Sequence, residues 1–182
     1  MPSSISHSTV AYIIHKLNKT LILPALIVGS IVPDIDILIY YLTVGSLNMG
    51  RELFHSIVGV ATYGTLISVV ITVFAYPRIV STVFRLDKEE TKQACRFSKT
   101  LVVSCLIGGF SHILIDSSCH DYNPLFYPFT KQSIDVLLFT NDWKLSYAIV
   151  EISILIMLLI TLIVETRKGI KGFWKRILVG RS

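Results

Sequence analysis

Three long apolar runs, separated by polar or charged segments, dominate the pattern along the chain. They cover Leu53–Tyr76, Thr100–Asp116 and Leu145–Val164. Each is close to the roughly 20 apolar residues that a membrane-spanning helix needs. Because backbone polar groups must be satisfied inside a bilayer, runs of this kind indicate helices. The pattern therefore predicts an all-α fold, a polytopic transmembrane helical bundle.

The first 42 residues allow two interpretations. The apolar segments 7–17 and 20–32 flank a polar interruption at Lys16–Lys19, and a helix of that length covers only about 16 Å. We therefore expect a short N-terminal helical hairpin that dips into the bilayer and returns Asp34 to the level of His7. The alternative is one long span over 21–42, with Asp34 and Asp36 inside the membrane.

A proline interrupts the helical pattern in the stretch 29–36, GSIVPDID. Pro33 lacks a backbone donor and disfavours helix at the residue before it, so the helix kinks or ends there. Two carboxylates at such a break suit a cation, which makes Asp34 a candidate ligand. Asp36 is a second ligand, a support, or a catalytic base. In the alternative interpretation, both residues cap the next helix, 37–42.

Composition agrees with a membrane protein. The chain is 52% hydrophobic and 16% charged, with a mean hydropathy of +0.65, whereas soluble domains are about 25% charged. We expect a multi-pass protein of the cell membrane with the lipid bilayer as its partner, and no cleaved signal peptide. Residues 1–166 form one membrane-embedded domain, and residues 167–182 form a basic tail.

The net charge of +5 reflects topology and does not indicate a nucleic-acid partner. Basic residues cluster in two stretches, 77–99 and 167–182, which flank apolar runs. Cytoplasmic loops carry the excess of Lys and Arg, so we expect both stretches in the cytoplasm.

Candidate chemistry is concentrated in GGFSHILIDSSCH, residues 108–120. His112 and Asp116 are four residues apart, which places them on one face of a helix, and His120 follows at the same spacing. Such groups are costly in an apolar setting unless they pair or bind something. Other polar residues beside apolar runs are His7, Asp34, Asp36 and His55.

Topology places these residues together. With both basic stretches in the cytoplasm, the start of the second segment and the end of the third face the extracytoplasmic side. The hairpin brings its own two residues to that side. The predicted metal ligands are His7, Asp34, His55, His112, Asp116 and His120.

Imidazoles and carboxylates suit a divalent metal, Zn²⁺ first and Mn²⁺ or Fe²⁺ as alternatives, with one or two ions. Such a centre activates water for hydrolysis of an ester or phosphoester, with Asp36 or Asp121 as base. The three cysteines form no CxxC motif; Cys119 is either a ligand or a small buried residue. In the alternative interpretation, the polar groups have a purely structural role and join helices through hydrogen bonds and ion pairs.

The loop 117–144 is long and aromatic, with the stretch NPLFYPF at 123–129. Loops of this length usually have a function or are disordered, and the aromatic stretch is more typical of an interfacial lid than of a flexible linker. Trp143 and Tyr147 fit the aromatic belt of a membrane protein.

At these positions the sequence resembles the YdjM-like family of membrane-bound metal-dependent hydrolases. The matching motifs are Ser6–His7, Gly29–Asp36, Arg51–Ser56, Gly108–Asp116 and Pro124–Phe129. The resemblance implies a polytopic helical protein with a metal centre built from His7, Asp34, His55, His112 and Asp116. This chain departs from the family pattern at Glu52-Leu53-Phe54 and adds His120.

We therefore expect a metal-dependent hydrolase acting on a lipid-like or envelope small-molecule substrate. Two alternatives stay open: a non-catalytic metal-binding or metal-transport membrane protein, and a structural subunit with buried ion pairs. The sequence indicates no oligomeric state.

Overall fold

The structure, a computed structural model, describes residues 4–45, 52–134, 138 and 140–180. Within these residues the secondary structure is helical and contains no strand. Four of the described stretches are long and apolar enough to cross a membrane: Leu23–Thr43, Ile57–Phe84, Lys99–Ser117 and Trp143–Arg167. The predicted all-α transmembrane bundle is confirmed. The helices are α1 (Ser4–Leu17), α2 (Leu23–Ile31), α3 (Ile35–Val44), α4 (Ile57–Phe84), α5 (Lys88–Ala94), α6 (Lys99–Ser117), α7 (Trp143–Arg167) and α8 (Phe173–Leu178).

The N-terminal segment combines both interpretations. Helices α1 and α2 pack together as a hairpin whose tip holds Asn18 and Lys19. The sequence predicted that the helix kinks or ends at Pro33, and α2 ends at Ile31, just before it. A single 3-10 turn, Val32–Asp34, joins α2 directly to α3. Pro33 lies in the first turn of this new segment, where its missing N–H group would have no helical partner anyway.

Helix α2 is the centre of the bundle, with every residue from Leu23 to Ser30 buried. It packs most extensively against α6. Glycines make this approach close, since a Cβ at Gly29 would collide with the Cys105 carbonyl oxygen and one at Gly108 with the Leu26 carbonyl oxygen. Small residues are the usual means by which membrane helices approach one another closely.

Helix α4 is longer than predicted. The run Leu53–Tyr76 was expected to end before a charged loop at 77–99, but the helix begins at Ile57 and continues to Phe84. A wider π-helical turn, Ile71–Ala75, immediately precedes Tyr76 and Pro77. Wider turns rearrange the backbone hydrogen bonds, and this one lets the helix accept a proline. The charged segment itself contains α5.

The bundle is closed by α7 and by the tail. Helix α7 exposes most of its apolar side chains, which suits a helix facing lipid. The Tyr76 hydroxyl donates to the Leu178 carbonyl oxygen (2.8 Å), and the Trp174 and Phe84 ring centroids lie 4.6 Å apart. The described part of the tail is therefore docked against α4, although the division into a domain of 1–166 and a tail of 167–182 stays a prediction.

A buried carboxylate links three helices at one end of the bundle. The Glu165 side chain is 1% exposed and accepts hydrogen bonds from the Tyr12 hydroxyl (2.6 Å) and from Arg176 Nε (2.8 Å). Lys168 Nζ and Lys16 Nζ lie 2.6 Å and 3.1 Å from Glu165 Oε1. These contacts join α1, α7 and α8 at the end of the bundle where the basic residues collect.

Replacing Glu165 by glutamine should destabilise the protein, because three cations would then share one pocket without a counter-charge. A hydrogen bond to a buried charged group contributes about 1.5–3 kcal/mol. We expect a lower midpoint of thermal unfolding and faster proteolysis within the tail. The matched control is Glu89→Gln, which breaks an exposed pair with Lys92 and should cost less than about 1 kcal/mol. Equal stability of the two variants would contradict this account.

Candidate metal centre

Four imidazoles surround one buried carboxylate. The Asp116 side chain is 3% exposed, and four histidines present Nε2 to it. The distances are 3.4 Å from His7 to Oδ1, 3.8 Å from His120 to Oδ1, 3.4 Å from His112 to Oδ2 and 3.6 Å from His55 to Oδ2. The chain has five histidines, so every one except His15 belongs to this cluster.

The cluster joins residues from three parts of the chain that are far apart in the sequence. His7 lies in the first turns of α1, and His55 lies in the turn just before α4. His112 and Asp116 are one turn apart on α6, and His120 follows its end. The expectation that these ligands meet at one end of the bundle agrees with this arrangement.

Asp34 joins the cluster from the 3-10 turn. Its Oδ1 lies 3.6 Å from His112 Nε2, and Asp34, His55 and His112 form one group whose ligand atoms could hold a metal ion. Two further groups are His7 with His112 and Asp116, and Asp116 with Cys119 and His120. All six predicted ligands therefore belong to groups capable of holding an ion.

The spacings fit ligands better than ion pairs. Charge-assisted hydrogen bonds bring nitrogen and oxygen to about 2.7–2.9 Å. Ligand bonds of about 2.0–2.1 Å in a tetrahedral site separate the ligand atoms by roughly 3.3 Å. The contacts of Asp116 with His7, His55 and His112 are 3.4–3.6 Å. The donor set of the cluster therefore fits a divalent ion.

The orientation of His112 is set by the backbone of α2. Its Nδ1–H donates to the Ser30 carbonyl oxygen at 2.7 Å. This hydrogen bond fixes the tautomer and leaves the lone pair of Nε2 facing the cluster, as is usual for metal-binding histidines. The contact depends on the close approach of α2 and α6, because Ser30 follows Gly29 and His112 lies one turn after Gly108. Sequence reasoning missed Ser30, since a carbonyl oxygen has no sequence signature.

Asp36 contacts His55 on the side of the ring that faces away from Asp116. Its Oδ2 accepts a hydrogen bond from the Phe54 backbone N–H at 2.5 Å and lies 3.5 Å from His55 Nδ1. A carboxylate on the far nitrogen of a ligand histidine orients the ring and raises its basicity. The sequence suggested three roles for Asp36: second ligand, support or catalytic base. This position favours a supporting role, in which Asp36 orients His55.

The remaining predictions have different outcomes. The Asp121 side chain is exposed and belongs to none of the ligand groups formed by described residues; its role as a base stays a prediction. Cys119 is fully buried and its thiol donates to the Ile115 carbonyl oxygen at 3.2 Å, which agrees with a small buried residue beside the cluster. Arg51, from the family motif, lies outside the described residues.

The loop after α6 folds against the turn that carries His55. The Ile57 N–H donates to the Leu125 carbonyl oxygen (2.9 Å), and Lys131 Nζ lies 2.8 Å from Glu52 Oε1. The hydrogen bond that Lys131 donates to Glu52 raises the pKa of Lys131. Part of the predicted lid, 135–137 and 139, lies outside the described residues.

An intramembrane carboxylate was overlooked in the sequence. Glu151 lies in the apolar helix α7, and both of its carboxylate oxygens are 3.0 Å from the Ser6 hydroxyl, next to His7. A carboxylate inside a membrane helix indicates a functional or pairing role, and this signal was present in the apolar run 145–164. Glu151 joins α7 to the segment that presents His7.

Comparison with known proteins decides the family. A profile of the YdjM inner membrane protein family matches residues 4–179 of the chain. The chain belongs to this family. It is accordingly a multi-pass membrane protein, as its apolar helices indicate. No curated protein and no solved structure gives a significant match to the chain.

The position of Asp36 leads to a test. We expect Asp36→Ala to weaken metal binding by about 10–100-fold, as the loss of an outer carboxylate does at other metal sites. The measurement is competition of the purified protein against a chromophoric chelator. A base has a different signature: unchanged metal affinity with lost turnover would show that Asp36 transfers protons and does not hold His55.

Proposed function

We propose that this protein is a metal-dependent membrane hydrolase that cleaves an ester or phosphoester of a lipid-like or envelope molecule. The observation that supports the proposal is the buried Asp116 carboxylate facing four imidazoles from three separate parts of the chain. A mixed imidazole and carboxylate set of this kind is typical of catalytic zinc and of related hydrolytic centres.

We infer a centre for two ions. The donors divide into two sets that share Asp116: His7 and His120 face Oδ1, whereas His55 and His112 face Oδ2. Asp34 adds a carboxylate to the second set. Imidazole-rich sites favour Zn²⁺, and Mn²⁺ or Fe²⁺ accept the same donors. Sites with two ions are common among enzymes that cleave phosphoesters.

The bound ions and the protein residues would have different roles in the reaction. Bound divalent ions would supply Lewis acidity and lower the pKa of water. The chain holds the ligands in place: Ser30 orients His112, and Asp36 orients His55. Burial of the cluster excludes bulk water, which strengthens electrostatic interactions within it.

The site's location favours a substrate from the membrane. The cluster is built at one end of α1, α4 and α6, and the basic residues around Glu165 lie at the other end. By the positive-inside rule, the cluster then faces the extracytoplasmic side. Phe126 and Phe129 of the neighbouring loop are 50% and 82% exposed, and aromatic side chains of this kind enter the interface between lipid and water.

The proposal is tested with purified protein in detergent, against chromogenic esters and phosphodiesters. We expect turnover that a chelator abolishes and that added Zn²⁺ or Mn²⁺ restores. His112→Ala should lose both metal and turnover. His15→Ala should keep both, because His15 contacts the Leu21 carbonyl oxygen at the opposite end of α1, away from the cluster. Thermal unfolding of each variant separates loss of function from loss of fold.

Two outcomes would contradict the proposal. Stoichiometric metal without turnover, together with metal-dependent uptake into vesicles, would make this a metal-binding or transport protein. Purified protein without metal, whose histidine variants change only folding yield, would make the cluster a structural network.

A further inference from the structure

A second candidate site lies at the basic end of the bundle, remote from the metal centre. An open cleft of about 600 Å³ separates the last turns of α4 from α5 and the segment that enters α6. Its walls include Phe74 and Arg78 from α4 on one side, and Lys92, Arg96 and Phe97 on the other. Nothing in the proposed hydrolysis uses these residues, and we refer to this set as the basic cleft.

The cleft carries excess positive charge. It has three cations and one acidic residue, Glu89, whose Oε1 lies 2.8 Å from Lys92 Nζ. Arg78 and Arg96 have exposed side chains and form no ion pair with a described residue. Two guanidinium groups are thus available on facing walls, and each can bind a phosphate oxygen pair in a bidentate manner.

The same cleft has an apolar wall. Phe74 is 61% exposed and Phe97 is 65% exposed, and both line the cleft beside the arginines. A small inorganic anion would leave these rings without a partner. A ligand with an anionic head and a hydrocarbon chain would match both parts of the surface.

The position of the cleft relative to the membrane indicates which ligand it binds. The candidate span Ile57–Phe84 leaves the apolar region here, and the span Lys99–Ser117 enters it. The cleft therefore lies where lipid headgroups meet acyl chains. By the positive-inside rule this is the cytoplasmic leaflet, whose anionic lipids attract clusters of Lys and Arg.

We propose that the basic cleft binds an anionic glycerophospholipid of the adjacent leaflet. The phosphodiester contacts Arg78 and Arg96, and one acyl chain lies against Phe74 and Phe97. Lys92 is held by Glu89 and adds to the field around the headgroup. This inference does not depend on the hydrolytic function, because the two sites lie at opposite ends of the bundle and share no residue.

The test measures binding of phosphatidylglycerol and of phosphatidylcholine with the same acyl chains to the full-length protein by native mass spectrometry. We expect a preference for phosphatidylglycerol that the double variant Arg78→Gln/Arg96→Gln weakens by about tenfold or more. The matched control, Arg167→Gln/Lys171→Gln, removes the same charge from exposed positions outside the cleft. It should change binding less than about twofold, as expected for dispersed surface charges.

Further measurements distinguish lipid binding in the cleft from diffuse charge attraction and from binding of phosphate alone. Phe97→Ser should weaken phosphatidylglycerol binding. Inorganic phosphate should not compete with the lipid for the cleft. Equal losses in both double variants would mean diffuse attraction to the basic end and would overturn the proposal. Displacement of the lipid by millimolar phosphate, or no preference between the two lipids, would also overturn it. Unfolding midpoints equal to that of the unmodified protein show that the variants are folded.

Discussion

The Asp116 carboxylate is the constraint around which the rest of the structure is arranged. A charge buried among apolar helices is costly unless polar groups surround it. Here the surrounding groups are imidazoles from α1, from the turn before α4 and from the end of α6. Their positions require the hairpin to return to its starting level, and they require α2 to approach α6 closely enough for Ser30 to hold His112.

A second buried carboxylate in the same bundle shows how this chain neutralises a charge for structural purposes. Glu165 is surrounded by Lys16, Lys168 and Arg176, whose cations are permanent, at distances of 2.6–3.1 Å. Asp116 instead faces four imidazoles, none of which is a permanent cation, at longer distances of 3.4–3.8 Å. The contrast between the two ends of one molecule favours a metal centre at Asp116 over a network of ion pairs.

Much of this arrangement could be predicted from the sequence, for physical reasons. Apolar length identified the helices, and the cost of intramembrane polar groups drew attention to the His and Asp residues that cluster around Asp116. The distribution of Lys and Arg predicted that these residues lie at one end of the bundle. Helix boundaries were less accurate, because the π-helical turn before Pro77 and the 3-10 turn at Pro33 let helices continue through prolines. Ser30 and the supporting position of Asp36 depend on tertiary contacts that no spacing encodes.

The most direct test of the central claim is X-ray absorption spectroscopy of the purified protein, with its metal content measured on the same sample. A metal centre at Asp116 predicts bound divalent metal with only nitrogen and oxygen neighbours at about 2.0–2.1 Å. Outer-shell scattering from imidazole rings should accompany them, and it should diminish in His112→Ala but not in His15→Ala. Absence of bound metal after loading, or a spectrum without imidazole scattering, would contradict the account.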